Sequence, residues 1–240
     1  MKLAFISDIH GNSVALEAVL EDIKSRLIDD IVVLGDLCYR GPEPKQSLDL
    51  IRSLHAKVLK GNADEWVIRG VNEGEVPDSA LSLMNKEQAW TREKLDDNDI
   101  VYLEQLPSEF SLTYENINIH AYHATPDSLF NIVLPEQSDE ELLNKLTLSR
   151  KADIYLYGHI HTAYKRVIDG KTIINTGSVG LPFDGINHAS YVIIELKNGS
   201  LSTNHIRVPY DIEKVCKQYE DNRYPNKEMM QQIIRTGRNQ

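Results

Sequence analysis

Apolar positions along this chain fall into short runs, helical stripes and alternations, and each pattern occupies its own stretch. Leu3 to Ile6 is an apolar run of the kind a buried strand gives. Asn12 can cap a helix running through Ile28, with Leu16, Val19, Leu20, Ile23 and Leu27 on one face. Ile31 to Leu34 reads as a second buried strand. Pro44 opens a helix striped by Leu48, Ile51 and Leu54, and Val58-Leu59 sits in a third strand. Strand and helix alternating with short links predicts a parallel sheet built from right-handed crossovers.

The middle of the chain carries helical spacing over Ala80 to Leu95 and Ile100 to Leu106. From Phe110 the rhythm becomes alternation, through Leu112 and Tyr114 and again through Ile117, Ile119 and Ala121. Ser138 to Glu141 is a capping box that starts a helix through Leu148. Ile154 to Tyr157 is another buried strand, with Tyr155 and Tyr157 facing a core. The last third reads as hairpins. Asp169-Gly170 separates Tyr164–Ile168 from Thr172–Asn175, and Asn198-Gly199 separates Tyr191–Leu196 from Leu201–Val208. From Asp211 the tail reads as one or two polar helices. No repeat, low-complexity segment or Pro/Gly/Ser linker interrupts the chain. The expectation is one domain over residues 1–240, two sheets faced by helices, with a helical extension from about residue 211.

Composition narrows the function. The chain has 240 residues, 41% of them apolar, enough for a full core without staples. Two cysteines, Cys38 and Cys216, exclude a disulfide scaffold and a cysteine-based zinc site, and point to a reducing compartment. The apolar run after Lys2 is too short for a signal peptide, and no stretch approaches a membrane span. The expected location is the cytoplasm, away from the membrane. With 26 Lys and Arg against 36 Asp and Glu, the formal charge is −10. No basic block exists to displace phosphate counterions, so long nucleic acid is not an expected partner.

Several predicted strands end in residues that ligate metals. The first runs into Asp8 and His10, the second into Gly35-Asp36, the third into Gly61-Asn62. The Ile117 strand runs into His123, and the Ile154 strand into Gly158, His159, Ile160 and His161. Open α/β sheets bind ligands beyond the carboxyl ends of their strands. Asp8/His10 and His159/His161 are i, i+2 pairs, whose side chains share a side on an extended segment and diverge on a helix. Each pair is therefore expected on extended backbone. Gly35, Gly61 and Gly158 precede ligands, where the chain must turn and approach closely. Imidazole, carboxylate and amide oxygen together suit Mn, Fe, Zn or Co, with Mn favoured; they do not suit Ca, and four histidines argue against Mg.

This order of motifs resembles the calcineurin-like metallophosphoesterase superfamily, and its small bacterial phosphodiesterase-type members in particular. The matching elements are Asp8-Ile9-His10, Gly35-Asp36, Gly61-Asn62, His123 and Gly158–His161. The segment Asn175-Thr176-Gly177-Ser178-Val179-Gly180 is similar to the family's closing N-x-GS-x-G. The likeness runs from residue 1 to about residue 195. It implies a four-layer α/β/β/α double β-sandwich and two divalent ions. One ion would be held by Asp8, His10, Asp36 and His161, the other by Asp36, Asn62, His123 and His159, with Asp36 bridging. The implied activity is hydrolysis of a small phosphoester by a metal-bridging hydroxide.

Two departures refine that expectation. Phosphomonoesterases of the family carry GNH, where this chain has Gly61-Asn62-Ala63; the His that protonates the leaving group is Ala63. The Asp that pairs with that His is Tyr39. Both halves of the acid dyad are absent together, so a phosphodiester with a good leaving group is favoured. Monoesters, phosphoproteins and dinucleoside polyphosphates are the alternative substrates, and a non-catalytic scaffold is the alternative class. Arg40 keeps the family's Arg position; it is expected either to clamp a phosphate oxygen or to form an ion pair with Asp64. His188, after a Gly-containing loop, is a candidate replacement acid. His55 and His205 are expected on exposed elements, His120 on the face opposite His123, and Cys38 in packing. The tail has three roles open to it: packing on the domain, covering the site, or making a homo-oligomer.

Overall fold

The computed structural model describes residues 1–114, 116–197 and 199–239. In chain order the first elements are β1 (Lys2–Ile6), α1 (Ser13–Ser25), β2 (Asp30–Val33), α2 (Pro44–Ser53), β3 (Lys57–Val58), α3 (Asn62–Arg69), α4 (Asp78–Arg92) and α5 (Asp97–Glu104). There follow β4 (Glu109–Tyr114), β5 (Ile117–Tyr122), α6 (Asp139–Leu146), β6 (Ile154–Tyr157), β7 (Tyr164–Ile168) and β8 (Lys171–Asn175). The chain closes with β9 (Ala189–Lys197), β10 (Ser200–Val208), α7 (Ile212–Asp221) and α8 (Lys227–Thr236). The strands form two five-stranded sheets, β10-β9-β1-β2-β3 and β4-β5-β6-β8-β7.

Both sheets are mixed. β1, β2 and β3 are parallel, as the apolar runs predict, and β9 joins β1 antiparallel. In the second sheet β5, β6 and β8 are parallel, with β4 and β7 antiparallel on the two edges. Strand alternation gives each sheet two apolar faces. Leu3, Phe5, Val32 and Leu34 meet Ile119, Ala121, Ile154 and Leu156 in the core between the sheets. Ala4, Ile6 and Val33 face outward, against Leu16 and Val19 of α1 and Leu48 and Ile51 of α2. Tyr155, Tyr157 and Ile173 face out of the other sheet, toward Leu142 and Leu146 of α6. The result is the expected four layers, helices over sheet over sheet over helix. Both hairpins form as predicted; of the second turn dipeptide, Asn198 lies outside the described residues.

Local signals decide the helix ends. The Asn12 side chain accepts from the Ala15 N–H at 3.0 Å, capping α1 as predicted. Its Nδ2 also donates to the Gly180 carbonyl at 3.0 Å. The far end differs from expectation, because α1 stops at Ser25 and not at Ile28. Lys2 and Asp29 exchange two hydrogen bonds, which draw the chain into β2 before another turn can form. Leu27 is consequently left-handed (φ 53°) and 82% exposed, off the apolar stripe on which it was placed. The Ser138/Glu141 capping box forms, although α6 ends at Leu146. His55 is exposed as expected; His205 is not, since it lies half-buried on β10 with Nε2 2.8 Å from the Asn175 carbonyl.

α7 and α8 pack on the body of the protein. Val215, Tyr219, Met230 and Ile233 bury themselves against Val14 and Leu181. Tyr219 donates its hydroxyl to the Arg40 carbonyl at 2.9 Å, and Asn222 donates to the Pro42 carbonyl at 2.8 Å. The tail thus braces the loop after β2. Among the described residues no helix is long and apolar enough to cross a membrane.

Asn12 makes one bond along the chain and one across it. Replacing it with Ala is expected to cost about 1–2 kcal/mol in urea unfolding, and Asn12→Asp, which keeps the cap but sets a buried carboxylate oxygen against the Gly180 carbonyl, should cost at least as much.

Candidate metal centre

Hydrogen bonding in the two parallel ladders continues beyond the strand ends. After β1 and β2 stop, Asp8 N–H donates to the Gly35 carbonyl, His10 N–H to Asp36 and Gly11 N–H to Leu37, at 2.9–3.1 Å. In the second sheet Gly158 N–H donates to the His123 carbonyl at 2.8 Å. These bonds hold Asp8 beside Asp36 and His123 beside His159. Between the sheets, the His159 N–H reaches the Asp8 carboxylate at 3.1 Å. Close approach requires the glycines the sequence singled out. A Cβ on Gly61 would lie 2.1 Å from Asp36 Oδ1, and one on Gly158 would lie 2.6 Å from Asp8 Oδ2.

One expectation fails here. The paired ligands do not sit on extended backbone: Asp8, His10, His159 and His161 all have φ between 47° and 67°. Asp36 is left-handed as well, with φ 58°. The strands end at Ile6 and Tyr157, and each i, i+2 pair converges because both of its members turn back over the sheet edge. Non-glycine residues rarely adopt this conformation, and surrounding contacts must impose it. The segment from Asn175 to Gly180 supplies several. Asn175 Nδ2 donates to the Gly158 carbonyl at 2.5 Å, and Ser178 Oγ donates to the Asp8 carbonyl at 2.7 Å. Ser7 Oγ donates to Asp8 Oδ2 at 2.5 Å. Sequence reading placed no role on Ser7; its position beside the Asp8-x-His10 motif was the available signal.

All seven predicted ligands meet at this edge. Donor atoms of Asp8, His10, Asp36 and His161 lie within 4.8 Å of one another, as do those of Asp36, His123 and His159. Asn62 Oδ1 stands 2.8 Å from both His123 Nε2 and His159 Nδ1. Asp36 belongs to both groups, 3.5 Å from His10 Nε2 through one oxygen and 3.4 Å from His123 Nε2 through the other. Asn62 opens α3, a helix of eight residues absent from the expected elements, whose short apolar stripe is Ala63, Trp66 and Val67. The Asp64 carboxylate accepts from the Gly61, Asp36 and Leu37 N–H groups, each at 2.8 Å, and so ties this helix to the Asp36 loop.

The imidazoles are oriented for a cation. Backbone carbonyls hold Nδ1 of His10 (Tyr39, 2.8 Å), His123 (Leu34, 2.7 Å) and His161 (Leu181, 2.5 Å). That arrangement turns each Nε2 toward the cluster. His10 Nε2 and His161 Nε2 are 3.1 Å apart. With Nδ1 of each ring on a carbonyl, either one Nε2 proton bridges this gap as a hydrogen bond or both Nε2 lone pairs are free to serve a cation. Burial, reinforced by His161 and opposed by the two carboxylates, holds His10 down to about 4. Burial and His123 hold His159 to about 4. Burial also disfavours charge on His123, but the Asp36 carboxylate outweighs it and raises His123 to about 9. The donor set fits a metal ion.

Residues 1–199 match the family model described as the calcineurin-like phosphoesterase superfamily domain. The chain belongs to this family. A curated relative, an uncharacterized protein of Methanocaldococcus jannaschii, is 31% identical over 244 residues, covering 93% of each chain. The crystal structure of a metallophosphoesterase from Sphaerobacter thermophilus is 27% identical, covers 99% of both chains and superposes with a TM-score of 0.78. A hypothetical protein from Pyrococcus horikoshii OT3 shares the fold with a TM-score of 0.83, at 21% identity over 98% of both chains. The family is one of metal-dependent phosphoesterases, which supports a hydrolase, and this chain carries a candidate metal site.

The remaining candidates fall differently. Arg40 lines a cavity of about 340 Å³ together with His10, Asp36, Asn62, His159 and His161. Its expected ion pair with Asp64 is not made, because three backbone N–H groups occupy that carboxylate. Glu87 is its partner instead, buried on α4 with Oε2 3.6 Å from Arg40 Nε. Glu87 lies 47 residues away, beyond any local signal. His188 is half-buried just before β9 and is not among the residues lining the cavity. His120 faces away from His123, as expected, and meets Glu109 at 2.8 Å. Cys38 is buried in the core, where burial raises its thiol well above the usual range.

Two outcomes test the centre. Asp36→Asn removes the carboxylate that both groups share, so metal counted on the purified variant should fall at both sites. The partners that merely orient ligands are worth about 10–100-fold in affinity, and the shared ligand should be worth more. The proton that Asp36 keeps on His123 below about pH 9 must leave when a cation binds. Mn²⁺ binding at pH 7 should therefore release a proton, seen as a buffer-dependent calorimetric enthalpy, and affinity should rise with pH up to about 9.

Proposed function

We propose that this protein hydrolyses small phosphate esters, phosphodiesters in preference, at two divalent transition-metal ions, with Mn favoured. The observation that carries the proposal is the meeting of two ligand groups on opposite oxygens of Asp36. Asp8, His10, Asp36 and His161 would hold one ion, and Asp36, Asn62, His123 and His159 the other. Bound there, the ions would supply the positive charge that activates water and attracts phosphate at neutral pH. The protein's own part is positioning. Left-handed turns and carbonyl-anchored imidazoles fix the ligands, and Arg40 offers its guanidinium to a phosphate oxygen from the cavity wall.

The diester preference rests on what surrounds that wall. Ala63 offers no proton, and the Tyr39 hydroxyl is spent on the Met84 carbonyl at 2.8 Å. The Glu75 carboxylate is bonded to Arg69, Asn72 and Trp66. A leaving group that departs with little protonation suits such a site. The cavity is also small, which favours a compact ester over a phosphoprotein or a long nucleic acid. A scaffold of this fold would have no use for seven converging donors. We place the enzyme in a reducing compartment, the cytoplasm, on its two free, buried cysteines.

The deciding experiment is a metal-by-substrate matrix with bound metal counted on the same protein. The expected result is a higher kcat/KM for an aryl phosphodiester than for the matched monoester or a dinucleoside polyphosphate, at two ions per chain. A monoester or polyphosphate optimum would overturn the diester preference. Two bound ions with no ester turned over would overturn the enzyme reading.

A further inference from the structure

The cavity beside the metal ligands is lined by two unlike sets of residues. One comprises His10, Asp36, Asn62, His159 and His161. The other comprises Trp66, Phe130, Val76, Pro77, Met84 and Ile132. Nothing in phosphoester hydrolysis requires the second set. Water and phosphate are served by the first, and an apolar wall gains nothing from either.

The aromatic wall is held in place. Trp66 Nε1 donates to Glu75 Oε2 at 3.0 Å, and Arg69 grips the same carboxylate, so the indole cannot swing. Its ring lies 5.8 Å from that of Phe130, tilted by 45°. The Arg69 guanidinium sits 5.6 Å from the Phe130 centroid, supporting that ring. Tyr39 meets the indole edge-on at 6.2 Å. At the rim stands Ile132, 63% exposed, an apolar side chain in water beside an apolar cavity. Exposed apolar surface continuous with a concave site is the usual mark of a ligand contact.

We propose that this wall is a subsite for a planar aromatic ring carried by the phosphoester, so that the preferred substrates are ring-bearing esters, with phosphorus at the ligand cluster and the ring against Trp66 and Phe130. The proposal rests on the phosphoesterase reading and adds the substrate's organic half. The volume of about 340 Å³ admits one small molecule of this kind. A ring supplied by an aryl group and one supplied by a nucleobase share the same stacking chemistry.

The test compares phosphonates that share a head group. Binding of methyl-, cyclohexyl- and phenylphosphonate to the manganese-loaded protein is followed by quenching of Trp66 fluorescence in a Trp90→Phe background, and by competitive inhibition. Phenylphosphonate is expected to bind about tenfold more tightly than either of the others, the scale of one stacked ring. Phe130→Leu should narrow the phenyl-to-methyl ratio about tenfold. Phe130 is half-buried on a loop, so this variant serves if Trp66→Leu, whose site lies in the core, fails to fold. Equal binding of phenyl- and methylphosphonate would overturn the subsite. So would equal binding of phenyl- and cyclohexylphosphonate, which would mean apolar contact without stacking. Adenosine 5′-monophosphate against ribose 5-phosphate separates the sources: a gain for the former assigns the ring to a nucleobase, no gain to an aryl group. Failure of the phosphoesterase reading looks different: the manganese-loaded protein would turn over no phosphoester, whatever the ratio among the phosphonates.

Discussion

His10 and His161 face each other through Nε2 atoms 3.1 Å apart, each with Nδ1 already tied to a backbone carbonyl. Two buried carboxylates, Asp8 and Asp36, stand beside them. One Nε2 proton can bridge the two rings as a hydrogen bond, whereas a metal ion held by all four groups would use their lone pairs at once. The fold is arranged to bring these four groups to one point. Ladders that outlast their strands align the two loops of the first sheet, and the Asp8 carboxylate accepts a bond from the second sheet. The rest of the protein holds those loops shut, from the glycines that let them touch to the Asn175–Gly180 segment that locks them from behind.

Much of this was legible in the sequence, and for a physical reason. Ligand-forming residues were placed at the ends of apolar runs, and strand ends in one sheet share one edge, so seven positions could be assigned to one place before any contact was known. Glycines at 35, 61 and 158 reported the close approach through the absence of a side chain. What stayed hidden depends on contacts that no local pattern encodes. The left-handed turns at Asp8 and His10 are held by bonds to the loop of residues 35–37 and to the Asn175–Gly180 segment. Glu87 replaces Asp64 beside Arg40 because Asp64 is consumed by three N–H groups. Helix α3 is only eight residues long, with a stripe of just Ala63, Trp66 and Val67, and Leu27 lost its place because Asp29 pairs with Lys2. The first sheet's parallel core was visible, while the antiparallel strands closing it came from sequence almost 200 residues away.

The acidity of the chain takes on a different meaning beside this centre. Among the described acidic residues, only Asp8 and Asp36 contribute carboxylates to the ligand groups. Two divalent ions at the site would give the cavity a positive interior within a protein of charge −10. Local potential would then select for an anionic substrate, while the outer surface keeps polyanions away.

The bracing of the loop after β2 by α7 has a consequence in time. A chain made from its N-terminus produces Asp8, Asp36 and Arg40 long before their partners. His161 follows about 150 residues later, and Tyr219, which fixes the Arg40 carbonyl, later still. The early segments can pair as β1 and β2, but the centre has no stable form until distant sequence arrives. Loop-closure entropy makes such late, long-range contacts slow to form. Until then the nascent chain exposes histidines and carboxylates that have not yet been brought to one point, and competence for metal arrives with the closing of the fold.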